Sequence, residues 1–177
     1  MVKPMRALIS GTLLIVFVGC IFIAGCGDSE SKKREPINLN QRSAPDFTAQ
    51  TIDGEEIRLS DFKRHKAVIV DVWATWCPPC QREMPLLEQI YQKYGKKLEI
   101  IAVSVDKPTD IDKIRKFISD KKITFKIIHD TNGDISRKFP SQAIPFLTVI
   151  NKDGQVVKTF IGYNASLETE IANALGL

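Results

Sequence analysis

The chain has 177 residues, 44% of them hydrophobic and 26% charged, with a formal net charge of +4. That length suits one domain, and the composition is ordinary for a globular fold. No basic cluster is larger than Lys32-Lys33-Arg34, and aromatic and basic residues do not interleave, which argues against a nucleic-acid surface.

Residues 1–25 read as a targeting segment. Lys3 and Arg6 lead into an uncharged, largely apolar stretch from Ala7 to Gly25, the order of parts found in a secretory signal. It ends in "IAGC", Ile23 to Cys26, and turns polar at once with Gly27-Asp28-Ser29-Glu30. That ending resembles the lipobox of bacterial lipoproteins, which implies acylation of Cys26 and a lipid anchor in the membrane. An uncleaved membrane helix is the alternative, because a run of about 20 apolar residues can span a bilayer. Lys32, Lys33 and Arg34 outnumber the basic residues before the run, a balance that would favour the opposite orientation for a plain anchor. Lipoprotein maturation would remove Cys20 and acylate Cys26, leaving Cys77 and Cys80 as the thiols. It would also remove two positive charges and no negative one, taking the net charge from +4 to +2. Residues 26–43 are polar without apolar periodicity and read as a flexible tether. The compact domain is expected over residues 44–177.

Within it, "DFTAQTIDGEEIRLSDF" alternates about Asp53-Gly54, a hairpin signal. Ala67 to Trp73 is an apolar, β-branched run, as in a strand covered on both faces. A helix is predicted from Pro79 to about Tyr94, ending at Gly95 and kinked at Pro85. Leu98 to Val105 is the next buried strand. Thr109 is placed to cap a helix reaching about Asp120, with Ile111, Ile114 and Ile118 on its core face. A short strand at 125–128 and a short helix at 135–139 follow. "PFLTVI", a turn at Asn151 to Gly154, "QVVKTF" and a helix after Ser166 complete the chain. Strand and helix in alternation, then a hairpin and a helix, predict an α/β fold with a mixed central sheet covered on both faces.

The segment "DVWATWCPPCQREMP", residues 71–85, carries the chemistry. Cys77 falls where a buried strand passes into a helix, and unpaired N–H groups and the helix dipole stabilise a thiolate there. Cys80 is one turn on, within reach of a mixed disulfide at Cys77. A purely structural disulfide would close too short a loop to stabilise much. A zinc site would need further ligands, and only His65 and His129 accompany the carboxylates. Asp71 lies inside an apolar run, where burial would raise its pKa unless strand twist exposes it at an edge. Glu83, one turn after Cys80, reads from spacing alone as a solvated glutamate. Trp73 reads as core.

"WCPPC" after a strand, followed by Glu83 and Pro85 and later by "AIPFLTVI", resembles the thioredoxin superfamily. More closely, it resembles the TlpA/ResA-like membrane-tethered thiol–disulfide oxidoreductases, over residues 44–177. The resemblance implies a thioredoxin-like fold with an added N-terminal β-hairpin and an inserted strand and helix after Val105. It implies Cys77 as nucleophile, Cys80 as resolving thiol, and Asp71 or Glu83 as proton acceptor for Cys80. Trp76 would shield the pair and contact substrate together with Pro79, Ile144 and a cis-proline at Pro145. From sequence alone Pro145 could equally open a strand. The implied activity is reduction of protein disulfides outside the cytoplasmic membrane, with apocytochrome c a typical substrate and a membrane thiol reductase as electron donor. Thiol–disulfide exchange requires no metal or organic cofactor. Two other readings stay open: a disulfide oxidant or isomerase, and a thioredoxin-fold copper carrier using a distant histidine such as His129. Copper carriers usually space their cysteines by three residues, whereas Cys77 and Cys80 are separated by two.

Overall fold

The computed structural model describes residues 42–177. The segment read as a signal at 1–25, the expected acylation site at Cys26 and the expected tether up to residue 41 lie outside the described residues. Among the described residues no helix is long and apolar enough to cross a membrane.

The chain enters the fold at Arg42 to Ala44, where Val156 N–H donates to Arg42 and Ala44 N–H to Gly154 (2.8 Å). A small antiparallel hairpin follows, β1 (Thr48–Gln50) against β2 (Glu56–Arg58), with Ala49 opposite Ile57. Its turn needs a residue at positive φ, and Gly54 supplies it at +89°. A short 3-10 turn, Leu59–Phe62, leads to β3 (Ala67–Trp73), in which all seven residues are buried. Helix α1 (Pro78–Tyr94) starts one residue earlier than expected and continues through Pro85. Strand β4 (Leu98–Ser104) pairs parallel with β3, and β5 (Lys126–His129) parallel with β4. Between them lies α2 (Ile111–Lys121). Strands β6 (Phe146–Ile150) and β7 (Val156–Ile161) run antiparallel, β6 pairing with β3, and α3 (Leu167–Leu175) closes the chain. The sheet order is β5-β4-β3-β6-β7, so the strand leading to Cys77 is central. This is the thioredoxin-like architecture with its extra hairpin and inserted elements.

Both faces of the sheet are covered, by different means. One face buries Ile69, Trp73, Ile100 and Leu147 against Met84, Leu87 and Ile90 of α1, Ile114 of α2, and Leu167 and Ile171 of α3. Each large apolar side chain buried there contributes about 1.5–3 kcal/mol. The other face buries Val68, Val70, Ile101 and Val103 under Phe47, Ile57 and Leu59, with Ile135 and Phe139 alongside. No helix covers that side among the described residues. The segment expected as a helix at 135–139 is a single 3-10 turn, Ser136–Lys138, pinned by Asp130, whose carboxylate accepts from Ile135 N and Ser136 N.

The α2 region and the strand after it depart from the sequence reading. Thr109 lies inside a 3-10 turn, Pro108–Asp110, and α2 begins only at Ile111. Asp110 precedes the helix without a side-chain cap because its carboxylate pairs with Lys113 at 2.8 Å. Of the three isoleucines only Ile114 is fully buried. Phe117 supplies the other main contact, with its ring 5.2 Å from that of Trp73. The short strand is displaced by one residue, to 126–129.

Candidate active site

The junction between β3 and α1 is built from the residues in between. Cys77 is the N-cap of α1, with extended backbone at φ −93° and ψ 108°. Pro78 and Pro79 occupy the first two helical positions, where no ladder bond is lost but no N–H is offered either. The first available donor is Cys80 N–H, which points at Cys77 Sγ at 3.3 Å. Cys77 and Cys80 are joined by a disulfide, with Cα atoms 5.3 Å apart. Both are buried, whereas Trp76, immediately before them, is 64% exposed.

The turn into Cys77 is clamped from a distance. Thr75 N–H and Thr75 Oγ1–H both donate to the carboxylate of Asp106, the former at 2.9 Å. Ser104 Oγ donates to the same carboxylate at 2.7 Å, and Gln81 Nε2 donates to the Thr75 carbonyl at 2.6 Å. Asp106 is 2% exposed, so three hydrogen bonds offset the desolvation of its charge. Sequence reading missed this residue. Its signal, an acid at the end of a buried strand in "AVSVD", is visible, but the partner is 31 residues away.

Opposite the disulfide lies the loop before β6. The Ile144–Pro145 peptide bond is cis. The Ile144 carbonyl oxygen lies 3.7 Å from Cys77 Sγ, and the Pro145 carbonyl accepts from Gly162 N–H at 2.8 Å. Cys77, Ile144 and Pro145 are thus brought together, with Trp76 and Pro79 adjoining Cys77 in the chain.

Behind the disulfide are two acids. Asp71 is fully buried in the central strand, opposite Ala102 on one side and Leu147 on the other, so exposure at a strand edge is ruled out. Neither of its carboxylate oxygens has a hydrogen-bond partner. Burial, reinforced by the charge of Glu83, holds its pKa well above the ordinary aspartate range. Glu83 is 1% exposed and its oxygens are also unpartnered, which overturns the solvated reading taken from spacing alone. Three residues after Cys80 it joins the sheet-facing stripe of α1 with Met84 and Leu87. Burial pushes its pKa from 4.5 up to about 7.

His129, at the end of β5, is 3.1 Å through Nε2 from the carbonyls of both Asp106 and Lys107. Carbonyls only accept, so that nitrogen carries a proton and donates. Among the described residues no group of three or more metal-ligating side chains is assembled.

The AhpC/TSA family matches residues 41–159. The thiol-disulfide oxidoreductase ResA of Bacillus thuringiensis subsp. konkukian is 34% identical over 139 residues, covering 78% of each chain. The thioredoxin-like protein YneN of Bacillus subtilis is 30% identical over 164 residues, 92% of this chain and 94% of that one. Among solved structures, a thioredoxin-family thiol:disulfide interchange protein from Chlorobium tepidum superposes with a TM-score of 0.66 at 26% identity. That match covers 77% of this chain and 98% of the other.

Proposed function

The chain belongs to the ResA-like thiol–disulfide oxidoreductases of the AhpC/TSA family, and from that premise we propose that it reduces protein disulfides outside the cytoplasmic membrane through Cys77 and Cys80. The observation that carries the reading is a cysteine pair at a helix N-terminus backed by a buried, unpartnered acid.

In the reduced protein the Cys77 thiolate, facing Cys80 N–H and the N-terminal end of α1, attacks one sulfur of a substrate disulfide. The substrate S–S bond breaks, one substrate thiolate leaves, and a mixed disulfide forms at Cys77. The Cys80 thiol then gives its proton to Glu83 and attacks Cys77 Sγ. The second substrate thiolate leaves and the Cys77–Cys80 disulfide is restored, two electrons having passed to the substrate. Glu83, with a pKa of about 7, accepts and returns a proton near neutrality. Asp71 is the deeper acid. Burial and the charge of Glu83 both raise its pKa, so the two acids resist carrying their charges at the same time.

Trp76, Pro79, Ile144 and Pro145 form the substrate-facing rim in this proposal. The "IAGC" ending supports acylation of Cys26 as the membrane anchor, with residues 26–43 as tether and 44–177 as the catalytic domain. An exported reductant works against an oxidising compartment and needs an electron source, for which a membrane thiol reductase is the natural class. Apocytochrome c, with its paired cysteines, is the substrate that the family resemblance implies. Copper delivery is the weaker reading, since Cys77 and Cys80 are spaced by two residues and not three, and His129 Nε2 is engaged with two carbonyls, which leaves Nδ1 as its one nitrogen for a metal.

A trapping experiment tests the assignment. Cys80→Ser in the full chain is expected to accumulate mixed disulfides through Cys77, because the resolving thiol is gone. Equal trapping by Cys77→Ser would reverse the two roles.

A further inference from the structure

The large hydrophobic side chains that remain exposed among the described residues are Trp76 (64%), Ile161 (65%) and Tyr163 (40%). All three belong to the end of the molecule that carries the disulfide. Trp76 precedes Cys77. Ile161 pairs with Phe146 at the end of β7, and the intervening Gly162 donates its N–H to Pro145. Tyr163 follows Gly162. Apolar side chains left in water at one place mark a surface made to be covered.

Arg82 reaches this surface from α1, two residues after Cys80. Its guanidinium carbon lies 5.1 Å from the centre of the Tyr163 ring. Among the described residues no carboxylate pairs with it. The neighbouring acid, Glu83, points the other way, into the core. Stacking on an aromatic face holds a guanidinium in place without neutralising it, so its N–H fork stays free for an incoming carboxylate.

We infer that Arg82, held by Tyr163, selects substrates that carry an acidic side chain beside the reactive cysteine, the flanking apolar residues packing on Trp76 and Ile161. This rests on the reading of Cys77 as the attacking thiol. The effect should be modest and visible mainly in association, because a rim charge steers encounter more than it holds the complex. It should also weaken with salt.

The test uses the reduced full chain and three short peptides, each a mixed disulfide with a nitrothiobenzoate chromophore. They are identical except for aspartate, serine or lysine next to the cysteine. Attack by Cys77 and resolution by Cys80 release the peptide thiol and the chromophore thiolate and leave the Cys77–Cys80 disulfide. At low salt the aspartate peptide is expected to react about five- to tenfold faster than the lysine peptide, a ratio that Arg82→Gln brings close to one. Arg82→Lys, which keeps the charge and loses the planar fork, should retain part of it. Equal rates for the three peptides with the unaltered chain would overturn the inference while leaving the oxidoreductase reading intact. Failure to consume any peptide would instead count against that reading. A ratio unchanged in Arg82→Gln would assign the preference elsewhere and overturn the role of Arg82.

Discussion

Glu83 shows how one side chain couples catalysis to stability. Its folded-state pKa is raised by burial from 4.5 to about 7. Below pH 4.5 the carboxyl is neutral in both folded and unfolded chains, and burying it carries no charge penalty. As pH rises the unfolded chain ionises first, so the folded protein loses stability until Glu83 itself ionises near pH 7. The loss over that window amounts to about 3 kcal/mol. Glu83→Gln removes the term. The variant should therefore gain stability relative to the unaltered protein at pH 8 and show much less difference at pH 4. Urea denaturation of the oxidised forms at the two pH values checks this, and a constant offset would disprove the linkage. The same substitution takes away the proposed acceptor for the Cys80 proton. Release of the mixed disulfide should slow about ten- to a hundredfold, towards the lower end of general-base effects because Asp71 remains.

At the scale of elements, the junction between β3 and α1 depends on a contact made across the sheet. Thr75 donates twice to Asp106, and Asp106 is buried. Thr75→Val keeps the shape and the backbone donor but deletes the hydroxyl, leaving one carboxylate oxygen short of a partner. The expected cost is about 1–3 kcal/mol, seen as a lower thermal midpoint, whereas Thr75→Ser should restore most of it. Equal midpoints for valine and serine would show that the hydroxyl contributes nothing. This junction also marks where sequence reading succeeds and where it stops. Strands β3, β4 and β6 were legible because continuous apolar runs have few alternatives, and α1 because two prolines and a terminal glycine bracket it. The cysteine pair was legible for the same local reason. The Asp106 clamp was not, since an acid ending a strand looks the same whether it meets water or Thr75. Thr109 failed as a cap because Pro108 opens a 3-10 turn and Lys113 draws Asp110 away from the helix end. The solvated alternative for Glu83 failed because only the folded α1 shows which stripe faces the sheet.

For the whole molecule the questions are where it is held and which way electrons flow. If Cys26 is the anchor, Cys26→Ala should abolish acylation and release the protein from membranes, whereas an intact 1–25 segment in the mass spectrum would establish an uncleaved helix. Direction follows from how well the fold stabilises the Cys77 thiolate, because a stabilised thiolate favours the reduced form and makes an oxidant. Here Pro78 and Pro79 offer no N–H, and Cys80 N–H at 3.3 Å is the first backbone donor available. Burial raises the pKa of both Asp71 and Glu83, so the opposing negative field behind the thiolate grows as the pair ionises. Both features leave the thiol less acidic and the disulfide comparatively stable. The potential is therefore expected nearer thioredoxin, at about −270 mV, than the oxidant DsbA, at about −120 mV. Pro78→His adds an N–H at the first helical position and a cationic ring in its protonated form, both favouring the thiolate. It should raise the potential by on the order of 30 mV, a tenfold change in the exchange equilibrium. Equilibration of the full chain against glutathione buffers measures both values. A potential for the unaltered protein above about −180 mV, the range of protein disulfide isomerase, would make it an oxidant or isomerase and end the reductant reading.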